Sequence, residues 1–560
     1  MYFRVFALAV IACVTAILIC GSVYAQVVPA VEDAGQIGRR FVPQTRLLSR
    51  PRGEGIRLES TEAPSGAATI TINIRAIQVE GSTVYSADEL AGMTGQLVGQ
   101  STVQQIYDLA ATLTVRYRQD GYVLSRVIVP PQELVPDDAV IRLQIIEGYV
   151  DNVRWPEEVA KYRDYFTAYA DKITAQRPLH IKTLERYLLL AGDLPGLEFS
   201  STLEPSKTNT GASTLVVTVK EKPFAASVST DNRGTEGRGP YQYTVYGSAG
   251  NLFNQHESLE LIYAGSYQVQ ELQYFYGRLS HVFNSEGLKG SVTASFNTGE
   301  PGTDTLQALA FESDSASITG ELSYPVIRSR EQNLALSALL FATQVTNDSL
   351  GSRLTEDRLR GIRATASFDQ YDNLKGVTQL VATFSQGIDG LGSTSNNNPN
   401  ASRSAGRVDF TKVEGTLARF QSLPAGFSAV ARMYGQYAGT PLLSSEECTY
   451  GGGTYGRAFE PSVLAGDHCV KLSAELRYDL PIPNNPLSQT QLYTFTDYGA
   501  VWQLAPATGS PSHAEASSIG AGVRVGWNDM LAASLETAHR LSGSVGDNDW
   551  QVFFNLSATY

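Results

Sequence analysis

The sequence lacks long apolar segments beyond its first residues, and this limits how the mature chain could meet a membrane. After residue 25 no run of ~18 residues is apolar and uncharged throughout, whereas a transmembrane helix needs roughly 20 such residues. Inside a bilayer every backbone polar group must be hydrogen-bonded, so a closed β-barrel is the membrane-spanning structure that remains.

Residues that carry enzyme chemistry are also scarce. The sequence contains no HExxH, GxxxxGK[ST] or nucleophile-elbow motif. Six histidines are scattered without the spacing of metal ligands: His180, His256, His281, His468, His513 and His539. We therefore expect no enzyme, no metal site and no cofactor. The net charge of −13 disfavours nucleic acid as a partner.

The first 25 residues are typical of a secretory signal peptide. Arg4 supplies the positive charge, residues 5–20 form an uncharged apolar run, and Val23-Tyr24-Ala25 offers a small-residue cleavage pattern. A membrane anchor is a weaker alternative because the run has only about 16 residues. Bulky Ile19 disfavours a lipoprotein modified at the next residue.

Cysteine is rare, and two of the four cysteines, Cys13 and Cys20, would leave with the signal peptide. The remaining pair, Cys448 and Cys469, is predicted to form a disulfide because paired cysteines in exported proteins most often do so. A metal site is less favoured, since only His468 lies beside the pair and the tetrahedron of a zinc site would stay incomplete.

Two short segments come next. Residues 26–42 include the mixed-charge stretch 31–41, which is long enough for about three helical turns. Residues 43–67 contain several arginines and Pro43, Pro51 and Pro64, so we predict a flexible linker.

Residues 68–148 and 149–222 each predict the element order β-α-α-β-β. In the first unit a strand with a phase slip comes first, because the alternation of Ile70, Ile72 and Ile74 shifts to Ile77 and Val79. The same order returns in the second unit, and such repetition indicates two small domains of one kind.

The helix predicted over residues 101–119 of the first unit has a clear apolar face. Its members recur at helical spacing and are Ile106, Leu109, Ala110, Leu113 and Tyr117. Gly121 should end this helix. A shorter helix before it should begin at Ser86, with Glu89 completing a capping box.

From residue 223 to 560 helical periodicity disappears and short alternating segments recur. In residues 471–480 apolar Leu472, Ala474 and Leu476 alternate with polar Ser473, Glu475 and Arg477, which gives one face for lipid and one for water. We predict an antiparallel transmembrane barrel of about 16 strands, with 14 or 18 as alternatives. A soluble β-sandwich is less favoured because its apolar faces would need a partner sheet.

Motifs in both small units resemble those of one known family. The first unit contains Gly121-Tyr122-Val123, Val129-Pro130-Pro131-Gln132 and Ile146-Glu147-Gly148, and the second contains Asp193-Leu194-Pro195-Gly196. These motifs are similar to the POTRA (polypeptide-transport-associated) domains of the outer-membrane transporters of two-partner secretion. That family is also called TpsB or haemolysin secretion/activation proteins, and it is related to the BamA assembly factors. The resemblance implies two POTRA domains, 68–148 and 149–222, and a pore-plugging helix within 26–42.

The barrel carries two further motifs of that family. Gly451 to Phe459 fall where the family has a long extracellular loop, here 439–467, which folds into the lumen with a hydrophobic-Arg-Gly-aromatic tip. Here the tip is Gly456-Arg457-Ala458-Phe459, a departure that puts the backbone turn in question but keeps the charge. Phe495-Thr496-Asp497-Tyr498-Gly499 is similar to the F-x-D-x-G wall motif.

Alternation supports a contact between these two motifs, because it places Phe495, Asp497 and Gly499 on one face of their strand. If that face lines the lumen, Asp497 would meet the guanidinium of Arg457, and Gly499 would leave room for its close approach. The plain alternative for Arg457 is a solvated loop arginine.

The resemblance implies a pore in a Gram-negative outer membrane, with the POTRA domains in the periplasm and a secreted TpsA-type protein as partner. The barrel assembly machinery and periplasmic chaperones would act during biogenesis, for which the terminal aromatic Tyr560 is a suitable signal, and lipid and lipopolysaccharide would surround the barrel. An assembly factor of the BamA or TamA kind is the main rival, although such proteins commonly carry more POTRA domains. A passive porin would have no use for the two units.

Overall fold

A computed structural model of the chain describes residues 34–41, 62–157, 163–482, 487–506, 511–528, 530–543 and 549–560. The expected signal peptide, 1–25, and most of the expected linker, 43–67, lie outside these ranges. Within them, no helix combines the length and the apolar character that crossing a membrane would require. The first described element is helix α1 (Ala34–Phe41), which lies inside the barrel described below.

The first small unit is a four-stranded sheet with two helices. Its elements are β1 (Thr71–Glu80), α2 (Ala87–Thr94), β2 (Gly99–Thr102), α3 (Val103–Gln119), β3 (Arg126–Ile128) and β4 (Ala139–Ile146). The strand order is β2-β1-β4-β3, with β1 and β4 parallel. The short strand β2 was not predicted, because the sequence Gly-Gln-Ser-Thr has no apolar alternation.

Local sequence explains these elements well. Helix α3 buries the apolar face predicted for it, and its N-terminus is closed by reciprocal hydrogen bonds between Thr102 and Gln105. After its last turn Gly121 adopts a left-handed conformation, with φ +92°. In β1 the phase slip corresponds to a register shift between Ile74 and Ala76, which lets residues on both sides of the bulge face the same core.

In its described part, which leaves out residues 158–162, the second unit has three strands and two helices: β5 (Tyr149–Arg154), α4 (Arg163–Thr174), α5 (Ile181–Gly192), β6 (Leu197–Pro205) and β7 (Ala212–Glu221). The order β5-β7-β6 makes β7 the central strand. Phe166, Leu184 and Leu215 belong to a core that joins both helices to this sheet. The predicted element order β-α-α-β-β is therefore the observed one.

The described residues from Phe224 onward form a closed barrel of 16 antiparallel strands, as predicted. The strands are β8 (Phe224–Asp231), β9 (Gln242–Gly250), β10 (Glu257–Ser266), β11 (Gln273–Val282), β12 (Lys289–Gly299), β13 (Glu312–Arg328), β14 (Gln332–Ser349), β15 (Ser352–Tyr371), β16 (Gly376–Gly387), β17 (Thr411–Ser422), β18 (Phe427–Ala438), β21 (His468–Asp479), β22 (Leu487–Trp502), β23 (His513–Trp527), β24 (Leu531–Gly543) and β25 (Trp550–Thr559). Strands β19 (Cys448–Tyr450) and β20 (Leu464–Gly466) pair with each other in the loop between β18 and β21. A five-residue helix, α6 (Asp304–Ala308), follows β12.

Alternation along the strands separates an outer apolar wall from a polar lumen. On β13 the exposed side chains Ile318, Leu322 and Tyr324 point outward. On β22 the buried side chains Tyr493, Phe495 and Asp497 point inward. The barrel closes where β25 meets β8, and Tyr560 continues this pairing through two backbone hydrogen bonds with Ala226.

The candidate functional site in the barrel lumen

The loop between Ala438 and His468 turns back into the barrel as a hairpin. Its two arms are β19 and β20, and Gly456 to Phe459 lie in the connection between them. Cys448, at the start of β19, is bonded to Cys469 on the barrel strand β21, so a covalent bond fixes the base of the hairpin to the wall.

The turn at the loop tip depends on the glycine that precedes Arg457. Gly456 has φ +76°, and its carbonyl accepts a hydrogen bond of 2.8 Å from the N–H of Phe459. In the sequence Gly-Arg-Ala-Phe the turn is therefore made possible by Gly456, the residue before the arginine. A Cβ at this position would also lie 2.6 Å from the ring of Tyr450.

Arg457 lies against Asp497 in the lumen. Its Nε and Nη2 donate to the two carboxylate oxygens at 3.0 Å each, and its backbone N–H donates to Oδ2, also at 3.0 Å. The exposed fractions are 4% for Arg457 and 1% for Asp497, so the pair is shielded from water. Such a bidentate, charge-assisted contact is directional. Within the described chain Asp497 accepts hydrogen bonds from no other side chain.

Three more groups hold the same guanidinium. Nη1 donates to a carboxylate oxygen of Glu475, and Nη2 donates to Oγ of Ser473 at 3.2 Å. The guanidinium carbon lies 3.4 Å from the centre of the Phe495 ring, which suits a cation–π contact. Arg457 is thus enclosed on the wall side by residues of β21 and β22.

Further charges surround this pair and balance one another. Glu475 also accepts from Arg477 at 2.6 Å and from Arg524 at 2.8 Å. On the other side Glu536 pairs with Arg233, whose Nη1 reaches the carbonyl oxygen of Arg457 at 3.5 Å. A buried network of this kind stays favourable only while each charge keeps its partners.

Gly499 makes room for a different group than expected. A Cβ built there would lie 2.1 Å from Cδ2 of Tyr450, so the space over this glycine holds the tyrosine ring of β19. The expectation that Gly499 admits the guanidinium is therefore corrected: Arg457 contacts the preceding residues of the motif, and Tyr450 packs on the glycine.

Helix α1 fills another part of the lumen. Its first carbonyl oxygen, that of Ala34, accepts from Asn297 and Ser315 on the wall at 3.1 Å each. At its other end Phe41 stacks on Tyr274 with a centroid distance of 5.3 Å. Gln36 points to the loop and donates to the backbone oxygens of Ser444 (2.6 Å) and Glu447 (3.0 Å), so α1 touches wall and loop together.

The loop segment that α1 touches has its own ionic anchor. Glu446 lies 2.8 Å from Nζ of Lys412 and 2.6 Å from Arg363, and both partners belong to the barrel wall. Nearby, Arg403 bridges Glu447 and Asp467 at 3.1 and 2.7 Å. No sequence motif predicts these contacts, although the two adjacent acids before Cys448 are a visible signal of buried charge in the loop.

The motif residues of the first unit brace that unit and its contact with the second unit, because the carbonyl oxygen of Gly148 accepts a hydrogen bond of 3.0 Å from the N–H of Leu179. The side chain of Gln132 bonds the backbone N–H and carbonyl of Arg142, at 2.8 and 3.0 Å. The N–H of Gly148 donates to Ser125, and a Cβ there would lie 2.2 Å from the carbonyl oxygen of Leu124.

The motif residues of the second unit form its joint with the barrel. Asp193 accepts two hydrogen bonds of 2.8 Å from Arg328, at the end of β13. Pro195 and Gly196 lie against Gly250, and a Cβ at Gly196 would be 2.5 Å from its carbonyl oxygen. Helix α5 adds Arg186, which donates to the carbonyl oxygens of Pro325 and Val326.

Sequence comparisons place these features among known proteins. The family model for "Haemolysin secretion/activation protein ShlB/FhaC/HecB" matches residues 211–525, and the model for "POTRA domain, ShlB-type" matches residues 72–148. The heme/hemopexin transporter protein HuxB of Haemophilus influenzae is 23% identical over 476 residues, which is 83% of each chain. The outer membrane transporter CdiB of Dickeya dadantii is 22% identical over 435 residues, 74% of each chain.

Solved structures agree on the fold. CdiB from Escherichia coli matches with a TM-score of 0.71 at 17% identity, covering 89% of this chain and 92% of that one. BamA from Haemophilus ducreyi lacking POTRA domains 1–3 matches with a TM-score of 0.50 at 13% identity, covering 88% of this chain and all of that one.

Proposed function

Because the chain belongs to the haemolysin secretion/activation protein family ShlB/FhaC/HecB, and so exports a partner protein across the outer membrane, we propose how its parts divide that task. The barrel conducts the partner, the periplasmic units receive it, and two lumenal elements close the pore until it arrives. The partner would be a TpsA-type haemolysin, adhesin or haem-binding protein that crosses unfolded. We assign no enzymatic activity and no cofactor.

The observation that carries the closing mechanism is the seating of Arg457 on Asp497. A buried guanidinium with two carboxylate partners holds the loop tip against β21 and β22, while α1 covers β12 and β13. Removing one partner of a buried ion pair typically costs about 3–5 kcal/mol, so the tip leaves this position only when other contacts replace it.

The two periplasmic units would bind the partner through a free sheet edge. The sheets end in β2 and β3 in the first unit and in β5 and β6 in the second. Of these edges β6 is the longest in the described chain, with nine residues. An extended segment could add to such an edge through main-chain hydrogen bonds. In this proposal the second unit, 149–222, is a second POTRA domain.

Secretion of the partner by cells carrying Arg457→Ala or Asp497→Ala tests the closing mechanism. We expect secretion to fall strongly while a folded, heat-modifiable barrel remains in the outer membrane. Arg407→Ala is the matched control, because Arg407 is a half-exposed loop arginine whose side chain pairs with the neighbouring Asp409. Normal secretion in both lumenal variants would remove Arg457 from the mechanism.

One observation bears on the alternative of an assembly factor. The closing strands pair over Asn555–Thr559 and Ser227–Asp231, extended by Tyr560 and Ala226, which is a short seam through which another barrel could be inserted. Outer-membrane protein levels in a deletion strain distinguish the two functions. A general loss of barrel proteins would favour assembly, whereas loss of a single secreted protein would favour transport.

A further inference from the structure

The second unit carries a cavity that has no part in the mechanism above. It has a volume of about 500 Å³ and opens between the end of α4 and the first turns of α5. Three of its lining residues are cationic, and the full set is Lys172, Ala175, Gln176, Lys182, Thr183, Arg186 and Tyr187.

Positive charge exceeds negative charge in this cavity. The carboxylate of Glu286 lies 3.0 Å from Nζ of Lys172 and 3.3 Å from Nη2 of Arg186, so one acid faces two cations. A third cation, Lys182, is exposed and pairs with no acid among the described residues. The surplus is notable because the whole chain has a net charge of −13.

Arg186 also shows where the cavity lies relative to the membrane. Its Nη2 is 3.4 Å from the hydroxyl of Tyr324, and its Nη1 bonds backbone oxygens of the neighbouring residues. Tyr324 is on the outer, lipid-facing side of β13, at the end nearest the second unit. Tyrosine in this position of a membrane barrel marks the level of the lipid headgroups.

We propose that this cavity binds the phosphate-bearing headgroup of an anionic lipid in the periplasmic leaflet. Lys182, Lys172 and the hydroxyl of Thr183 supply donors suited to phosphate oxygens, and Glu286 leaves positive charge in excess. The acyl chains would lie along the outer wall beside Tyr324 and Leu322. A lipid held here would connect the second unit to the membrane as well as to the barrel.

Full-length protein in detergent micelles, titrated with phosphatidylglycerol and observed by native mass spectrometry, tests this site. Each lysine near an anionic surface contributes roughly a fivefold factor, so Lys172→Gln with Lys182→Gln should weaken lipid retention about twenty-five-fold. Lys207→Gln is the control, because Lys207 is exposed in the turn between β6 and β7, outside the cavity. Heat-modifiability of each variant checks that the barrel is folded.

Two further titrations, one with phosphatidylcholine and one with inorganic phosphate, identify the source of the phosphate group. Phosphatidylcholine should be retained much less than phosphatidylglycerol, and millimolar inorganic phosphate should compete only weakly. Equal retention by the double variant and the control would overturn the proposal. Full competition by inorganic phosphate would replace the lipid by a soluble phosphate ligand. Unchanged lipid retention with lost secretion would assign the cavity to the transported polypeptide.

Discussion

The ring of Tyr450 in the lumenal hairpin packs on the bare backbone of Gly499 in the barrel wall. Tyr450 has no exposed surface, and Gly499 follows Asp497 by two residues on the same face of β22. The loop therefore contacts the wall in two ways, through van der Waals packing of Tyr450 on Gly499 and through the ion pair of Arg457 with Asp497. Substitutions can test these two contacts separately.

Gly499→Ala should unseat the loop without removing any charge. The new methyl group would overlap the Tyr450 ring, and overpacking of this kind costs roughly 1–3 kcal/mol. We expect more frequent open events in planar lipid bilayers. Gly320→Ala is the control, because a Cβ there meets no atom within 4 Å. Equal frequencies of open events in the two variants would contradict a seating role for the glycine.

Reduction of the disulfide between Cys448 and Cys469 should loosen the base of the hairpin. The bond joins residues 21 positions apart, and for a loop of this length the chain-entropy model gives a stabilisation of about 3 kcal/mol. We expect Cys448→Ser with Cys469→Ser to lower the temperature at which the barrel unfolds in gel-shift assays. Reducing agent should reproduce the effect in the natural chain and leave the double variant unchanged.

Asp193→Asn should weaken the joint between the second unit and the barrel. Its carboxylate makes both hydrogen bonds to the buried Arg328, and loss of such charged bonds costs on the order of 2 kcal/mol. We expect faster proteolysis around residues 192–197. Glu204→Gln removes an exposed pair with Arg154 and should change little. Similar cleavage of the two variants would show that Asp193 does not hold the joint.

The same joint should weaken in acid. Partial burial raises the pKa of Glu286, but hydrogen bonds from Lys172, Tyr187 and Arg186 outweigh it and leave the pKa below its ordinary value of 4.5. A carboxyl with a lowered pKa contributes stability that is complete above the unfolded pKa and is lost as the pH falls through the folded one. The contact should therefore be constant near neutral pH and loosen below about pH 4.5.

Distances between spin labels on the second unit and on the barrel rim measure this change. Glu286→Gln should give a smaller change over the same pH range, because the group that titrates is gone. An equal change in the variant and the natural chain would assign the effect to other carboxylates.

Local sequence patterns predicted most helices and strands, because each pattern reflects which face of its own element is buried or faces lipid. The alternation in residues 471–480 separates lipid from water, and the apolar spacing from Ile106 to Tyr117 describes one face of α3. The polar strand β2 was missed because its backbone pairing with β1, and not its side chains, determines its conformation.

Contacts of the lumenal site were predictable where a sequence motif includes both residues or their strand. They were not predictable where the tertiary structure alone brings the residues together. Motif and alternation together predict the pairing of Arg457 with Asp497, which the hydrogen bonds between them confirm. Glu475 was placed on the water face, but its contact with Arg457 depends on the neighbouring strand register. The packing of Tyr450 on Gly499 joins residues 49 positions apart on different strands, and no sequence period relates them.

The disulfide also limits the route of a polypeptide through the barrel. Cys469 belongs to a wall strand, so the covalent ring that it closes with Cys448 keeps the hairpin tethered to the side formed by β21 and β22, even when Arg457 leaves its carboxylates. A chain in transit must then share the lumen with this tethered hairpin. The lumenal surface that remains for the transported chain is that of β12 and β13, which α1 covers. Passage therefore requires that α1 leave the lumen before the hairpin moves.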